Sequence, residues 1–332
     1  MRRIIGDQIS LLVIYVDDNL VIADEEETQR LKDAFVKQFR WITMEVTDAH
    51  SYLGMQLILQ EGSVQVNMQY FIEKLLLSCG EEELQESATP AGKDLFMVDR
   101  KSPVLAEKMR RLFHTNVAKL LYLTKRARPD ILTATGFLCT RVTKATVQDR
   151  KKLRRVLGYL KRTQGWIMTL TPEDLKNLEV YIDAAFASHP DAKSHSGIAL
   201  FLGKALDYAA SRKQKCVTKS PTDSELVGLT DHIGFVELFG EFLAFIMNTK
   251  FVPPVIYQDC TAVIALVTEC GGVARTKHLR VRMELCREGL QQNRFQILYT
   301  TTHKMIADGL TKPLEGQPFL TFASNMLGII AE

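Results

Sequence analysis

The chain has 332 residues, 46% of them hydrophobic and 24% charged, enough for two globular domains with sizeable cores. A net charge of +3 is too small to argue for nucleic acid as a property of the whole, so any such role depends on where the charges lie. Six cysteines without C-x-x-C spacing argue against a disulfide frame or a zinc site. They read as buried thiols of a reducing compartment and, with the two observations that follow, predict a soluble intracellular protein. The apolar stretch after Arg2 and Arg3 is too short and interrupted for a signal peptide. Residues 234–247 are broken by Glu237 and Glu241 and fall short of a membrane span.

The first predicted element is a hairpin. Apolar residues 11–14 lead into Tyr15-Val16-Asp17-Asp18, and Asn19-Leu20-Val21-Ile22 leads out. Two adjacent carboxylates at such a tip suit the metal pair of a template-directed polymerase. Asp and Asn are also ordinary turn residues, and four residues alone do not separate the two readings. A polymerase site needs a third acid from an earlier strand. Asp7, the sole acid before the hairpin, lies too close to it to serve. Half of that metal site is therefore expected to be missing, and a chain truly starting at Met1 should not polymerise nucleotides by itself. The alternative is a native protein that extends upstream.

Residues 26–39 place Leu31, Phe35 and Phe39 on one helical face behind an acidic first turn. A second hairpin is expected from 51–59 and 64–66 about a turn at Glu61-Gly62, then a helix over 69–77. Residues 81–103, polar and carrying Pro90 and Pro103, read as a linker. Helices are predicted over 108–125, 130–143 and 147–161. The last sets Leu153, Val156, Leu157 and Leu160 against a face of Arg150, Lys151, Lys152, Arg154, Arg155 and Lys161. After a boundary near 165–172 come strands at 178–182, 197–202 and 205–211 and a helix over 224–248. A strand at 254–257, a short helix from 261, a basic helix over 275–291, a strand at 295–300 and a helix from 304 follow. Three strands and then alternating helix and strand make a mixed-sheet α/β layout.

In this second half an acid recurs at a strand end or helix start: Asp183, Glu225, Asp259 and Asp308. Each has an ordinary explanation. Asp183 can terminate a strand, Glu225 can complete a capping box with Thr222, Asp259 can cap the helix at 261, and Asp308 can be a surface acid. Together they suggest more, because residues at the carboxyl ends of neighbouring strands converge on one crevice. Four carboxylates there repel one another unless cations neutralise them. A Mg²⁺ pair is the usual solution, and phosphodiester cleavage its usual chemistry.

With these motifs in order, the chain resembles the C-terminal part of the Pol polyprotein of copia-type retrotransposons: the end of the reverse transcriptase, then ribonuclease H. Tyr15-Val16-Asp17-Asp18 is similar to the polymerase hairpin, and Tyr52-Leu53-Gly54-Met55 to the primer-gripping segment. Leu121-Tyr122-Leu123, Arg128-Pro129-Asp130 and residues 155–163 resemble the stretch joining polymerase to nuclease. In the nuclease half, residues 181–187 resemble the first acidic strand, 194–203 the second strand, and 222–226 the helix start with the second acid. Tyr257-Gln258-Asp259 with Arg275-Thr276-Lys277-His278 resembles the third acid and its basic helix, and residues 307–313 the last. Ala185, Cys260 and Met305 depart from the family pattern without removing any of the four acids. Asp223 rivals Glu225 as second acid; Glu225 is preferred because Leu226 and Leu229 then form the packing face.

The resemblance implies an α/β (α+β) fold: an incomplete palm and primer-grip region over 1–100, a helical thumb or connection over 101–170, and a ribonuclease H-like mixed five-stranded sheet with flanking helices over 171–332. It implies hydrolysis of the RNA strand of RNA–DNA hybrids with two Mg²⁺ ions, Mn²⁺ being an alternative. Asp183 would bridge both ions, Glu225 and Asp308 would hold one each, and Asp259 would share the load. Asp17 and Asp18 are the corresponding polymerase ligands. Tyr15, Tyr52, Gly54, Arg150, Lys151, Arg154, Arg275, Lys277 and His278 are candidate contacts to RNA, DNA or the hybrid, which is read by shape and phosphates. His278 reads as structural and His303 is left open. The remainder of a Pol polyprotein is a further expected partner. The competing reading is a non-catalytic nucleic-acid-binding remnant of a degenerate element, motivated by the three departures.

Overall fold

In the computed structural model the described residues are 1–6, 8–39, 42–81, 83–173, 175, 177–268 and 279–330. They form three sheets and ten α-helices among the described residues.

The first sheet is antiparallel: β1 (Arg2–Ile5), β2 (Gln8–Tyr15) and β3 (Asp18–Ile22). Leu11 pairs with Ile22 and Tyr15 with Asp18, so Val16 and Asp17 alone make the turn, as the sequence suggested. Val16 takes a left-handed φ of 53°, a conformation that a β-branched residue adopts at a cost of about 1–3 kcal/mol. Helix α1 (Glu25–Phe39) starts where the Asp24 carboxylate accepts from the Glu27 amide at 2.7 Å. Its apolar stripe stays largely open, with Phe39 59% exposed.

The second sheet departs from expectation. The predicted strand over 51–59 is two strands, β4 (Ala49–Tyr52) and β5 (Met55–Gln60), hinged at Leu53-Gly54, both at positive φ. β6 (Ser63–Asn67) and β7 (Met168–Leu170) complete an antiparallel sheet in the order β4-β5-β6-β7. The Tyr122 hydroxyl donates to the Leu53 carbonyl at 2.7 Å, and a Cβ on Gly54 would run into that hydroxyl. A close tertiary contact thus fixes a turn that Leu53 does not advertise locally. β7 lies inside the stretch expected to separate two domains.

Helices α2 (Gln69–Ser78), α3 (Glu107–Thr124), α4 (Leu132–Cys139) and α5 (Val147–Arg162) follow, α5 opening on a Thr146–Asp149 capping box. Arg128-Pro129-Asp130 builds a buried knot: Arg128 donates to Asp130 at 2.8 Å and to the Thr163 carbonyl at 3.1 Å. The Tyr159 hydroxyl donates to Asp130 at 2.6 Å. Residues 81–103 are not a free linker. Among the described residues they form no helix or strand, yet Ala91, Leu95 and Phe96 are buried in the core. Phe96 packs on His189 and His195, with ring centroids 4.7 and 5.0 Å away, so the strap also reaches the second half.

The third sheet carries β8 (Leu178–Ala185), β9 (His195–Leu202), β10 (Ala205–Lys213), β11 (Val255–Gln258) and β12 (Gln296–Tyr299) in the order β10-β9-β8-β11-β12. β8 runs antiparallel to β9 and parallel to β11, and β11 parallel to β12: the mixed five-stranded sheet expected. Helices α6 (Pro221–Met247), α7 (Thr261–Thr268) and α8 (Arg280–Gln291) supply the other elements of this half. Leu226, Leu229, Ile233 and Met283 from α6 and α8 share a core with Val180, Ile182, Ile198 and Ile256 from the sheet. The single helix expected from 304 is instead α9 (Asp308–Thr311) and α10 (Gly316–Leu327), because Pro313 and a left-handed Gly316 interrupt it. Phe319, Phe322 and Met326 of α10 share one core with Leu120 and Leu157 and with Ala199 and Phe201 of β9. Apolar packing therefore crosses the expected 165–172 boundary. Among the described residues no helix is long and apolar enough to cross a membrane.

Candidate metal centre

Asp183 sits near the end of β8, where its backbone pairs with Gly197 of β9. Gly197 is required there: a Cβ would meet the Ala307 carbonyl and Thr311 Cγ2 at 3.0 Å. Its bare backbone lets α9 lie on the sheet, and the Thr311 hydroxyl donates to Asp183 Oδ2. On the other face, a Cβ at Gly228 would come within 3.2 Å of Ser196 Oγ and 3.3 Å of Ala184 Cβ. That close approach brings Glu225, three residues earlier on the same helical face, to β8. Glu225 Oε1 accepts from the Ala184 amide at 3.2 Å.

Helix α6 does not start on a Thr222–Glu225 capping box. Ser220 is the N-cap, its hydroxyl accepting from the Asp223 amide at 3.1 Å and donating to the Asp223 carboxylate at 2.9 Å. The Lys219 amide donates to the other Asp223 oxygen at 3.2 Å. Asp223 is thus absorbed by the helix start, while Glu225 points to Asp183. Asp259 follows β11 and accepts from Thr302 Oγ1 at 2.9 Å.

One ligand atom from each of Asp183, Glu225 and Asp259 lies within 4.8 Å of the other two. Asp183 and Glu225 are buried and Asp259 half-buried. Burial first, then the Asp308 charge, lifts the Asp183 pKa; burial first, then the Asp183 charge, lifts that of Glu225. Glu225 Oε2 is buried without a hydrogen-bond partner. Two crowded buried carboxylates and an orphaned oxygen fit a divalent cation, and carboxylate oxygens suit Mg²⁺ or Mn²⁺. Asp308 opens α9 beside this group but outside the 4.8 Å triad, paired with Lys312 Nζ at 2.8 Å.

The other candidates are dispersed. Asp17 and Asp18 are exposed at the hairpin tip in a different sheet, with Tyr15 57% exposed beside them. Among the described residues no third His, Cys, Asp or Glu joins them in a ligand group, and Asp7 lies outside the described residues. Tyr52 is half-buried and Gly54 exposed at the β4–β5 turn.

The basic face of α5 is largely committed. Arg150 and Arg154 both bind Glu81, at 2.7 and 2.6 Å. Lys152 donates to the carbonyls of Leu95 and Met97 at 2.8 and 2.5 Å, and Arg155 to Thr89 Oγ1 at 2.8 Å. These cations fasten the strap rather than form an open phosphate track; Lys151 alone of the named contacts on α5 is exposed. Arg275, Lys277 and His278 lie outside the described residues. His303 is exposed in a single 3₁₀ turn before α9. Sequence reasoning missed Thr302, Thr311 and Lys312 as neighbours of the acids. The one local signal was spacing, Thr311 and Lys312 standing three and four residues after Asp308.

No protein-family profile matches the chain. It is 26% identical over 98% of its length to the retrovirus-related Pol polyprotein from transposon RE2 of Arabidopsis thaliana, of which it spans 22%. It is also 26% identical over 96% of its length to the corresponding protein from transposon TNT 1-94 of Nicotiana tabacum, spanning 24% of that. The fold superposes on the foamy viral protease-reverse transcriptase, solved in complex with an RNA/DNA hybrid, with a TM-score of 0.53 and 12% identity. That match covers 92% of this chain and 37% of the viral one. From end to end the chain is similar to the retrovirus-related Pol polyproteins of these plant transposons, and it spans less than a quarter of their length.

Proposed function

We propose that this chain is the reverse transcriptase/ribonuclease H stretch of a Pol-type protein and that it hydrolyses the RNA strand of RNA–DNA hybrids at Asp183, Glu225, Asp259 and Asp308. The observation that carries this is the convergence of three carboxylates, from β8, α6 and the end of β11, within 4.8 Å of one another. Asp183 and Glu225, the latter with its orphaned oxygen, would hold the divalent cation together with Asp259. Bound there, a divalent pair supplies a water of lowered pKa and charge stabilisation for the leaving 3′-oxygen. Thr311 and Thr302 hold Asp183 and Asp259 in place through their hydroxyls, which limits reorganisation of the ligands. The foamy viral relative in fold was solved with a hybrid, which supports the same substrate class here.

The hairpin at Asp17 and Asp18 offers two carboxylates and no third from the described residues. Polymerisation at this hairpin would need a third acid beside these two. The test is cleavage of a labelled RNA–DNA hybrid with Mg²⁺ or Mn²⁺, comparing wild type with Asp183→Asn. Divalent-dependent cleavage lost in the variant is the expected result. A folded wild type that binds hybrid without cutting it supports the non-catalytic remnant instead.

A further inference from the structure

The four acids are not equivalent. Asp183, Glu225 and Asp259 face one another, whereas Asp308 is turned toward Lys312, one helical turn on, with Nζ 2.8 Å from Oδ1. α9 is a single turn whose end lies against Asp183 through Thr311, so the next residue, Lys312, projects from the same edge of the site. Burial alone would lower the Lys312 pKa, but Asp308, Asp183 and Asp259 outweigh it, and the ammonium stays charged. This one cation therefore feels three of the four acids. Its side chain is 47% exposed, which leaves it a path to swing away.

Resting on the divalent-cation reading above, we propose that Lys312 is a positioning residue that acts as a tethered stand-in cation. Its ammonium offsets the acid cluster and holds Asp308 aside until a divalent ion displaces it. Lys312 then has effects of opposite sign in the two states. It stabilises the ion-free fold by neutralising charge, and it weakens ion binding because the ion must break the Asp308 pair and approach a positive charge. A residue that only packed would raise stability equally in both states.

The experiment is Mn²⁺ titration of the full chain by calorimetry, with thermal unfolding in EDTA and in saturating Mg²⁺, on wild type, Lys312→Met and Lys312→Arg. Lys312→Met should bind its weakest Mn²⁺ about five- to tenfold more tightly than wild type. It should melt below wild type in EDTA and recover to wild type or above in Mg²⁺. Lys312→Arg, which keeps the charge, should stay close to wild type in both measurements. Unchanged or weaker Mn²⁺ binding by Lys312→Met, or an equal loss of melting temperature with and without Mg²⁺, overturns the role. If neither wild type nor Lys312→Met binds Mn²⁺, the divalent reading of the site falls as well. If wild type binds and Lys312→Met matches it, only the Lys312 role falls.

Discussion

Glu225→Gln should make the ion-free protein more stable while destroying its site. Glu225 is only 8% exposed; one oxygen accepts from the Ala184 amide and the other has no partner. Glutamine keeps the first bond, cannot ionise beside Asp183, and offers that neighbour an N–H. Relieving one unpaired buried acceptor and one like-charge contact is worth about 1–3 kcal/mol, or roughly 2–10 °C in melting temperature for a domain of this size. The size of the gain depends on pH. Burial and Asp183 raise the Glu225 pKa in the folded chain above its ordinary 4.5. Once pH passes that ordinary value, the folded state keeps a proton that the unfolded chain has released. Wild-type stability then falls as pH rises toward the raised folded value. Glu225→Gln has no such slope. Thermal unfolding in EDTA should therefore separate the two proteins most at about pH 8 and least near pH 4. A variant melting below wild type at the higher pH, or a gap independent of pH, would show that Glu225 is not held as a strained buried acid.

Thr311→Val removes the hydroxyl that orients Asp183 and should cost about 10–100-fold in hybrid cleavage, with little change in the circular dichroism spectrum. Asp130→Asn breaks the buried knot with Arg128, Tyr159 and Thr163 and should lose about 3–5 kcal/mol of stability in urea unfolding, with residual activity in the folded fraction. Glu81→Gln frees two arginines of α5 from the strap. It should cost about 1 kcal/mol and speed limited proteolysis within residues 83–103, a result that distinguishes a fastened strap from a linker.

The convergence of Asp183, Glu225 and Asp259 was legible because chemistry and position coincide: carboxylates at strand ends and helix starts stand out in a bare sequence. The first hairpin was legible for a similar reason, two apolar runs flanking an acidic turn. The Leu53-Gly54 hinge was not, because what fixes Leu53 in a left-handed turn is a hydroxyl from Tyr122, sixty-nine residues away. The strap over 81–103 looked like a linker because its composition is polar; its anchors are three sparse apolar residues and carbonyls taken by Lys152. The same contacts explain why the basic face of α5 misled. A row of Arg and Lys reads alike whether it faces phosphate or Glu81. The N-cap was misplaced by two residues, since Ser220 before Pro221 competes with Thr222 and wins by starting the helix earlier.

Asp183, Glu225 and Asp259 together should grip a divalent cation. Crystals soaked in Mn²⁺ and measured for anomalous scattering test it directly. A peak within about 2–2.5 Å of oxygens from all three carboxylates is the predicted result. Mn²⁺ bound elsewhere in the crystal with no peak at this triad would contradict it.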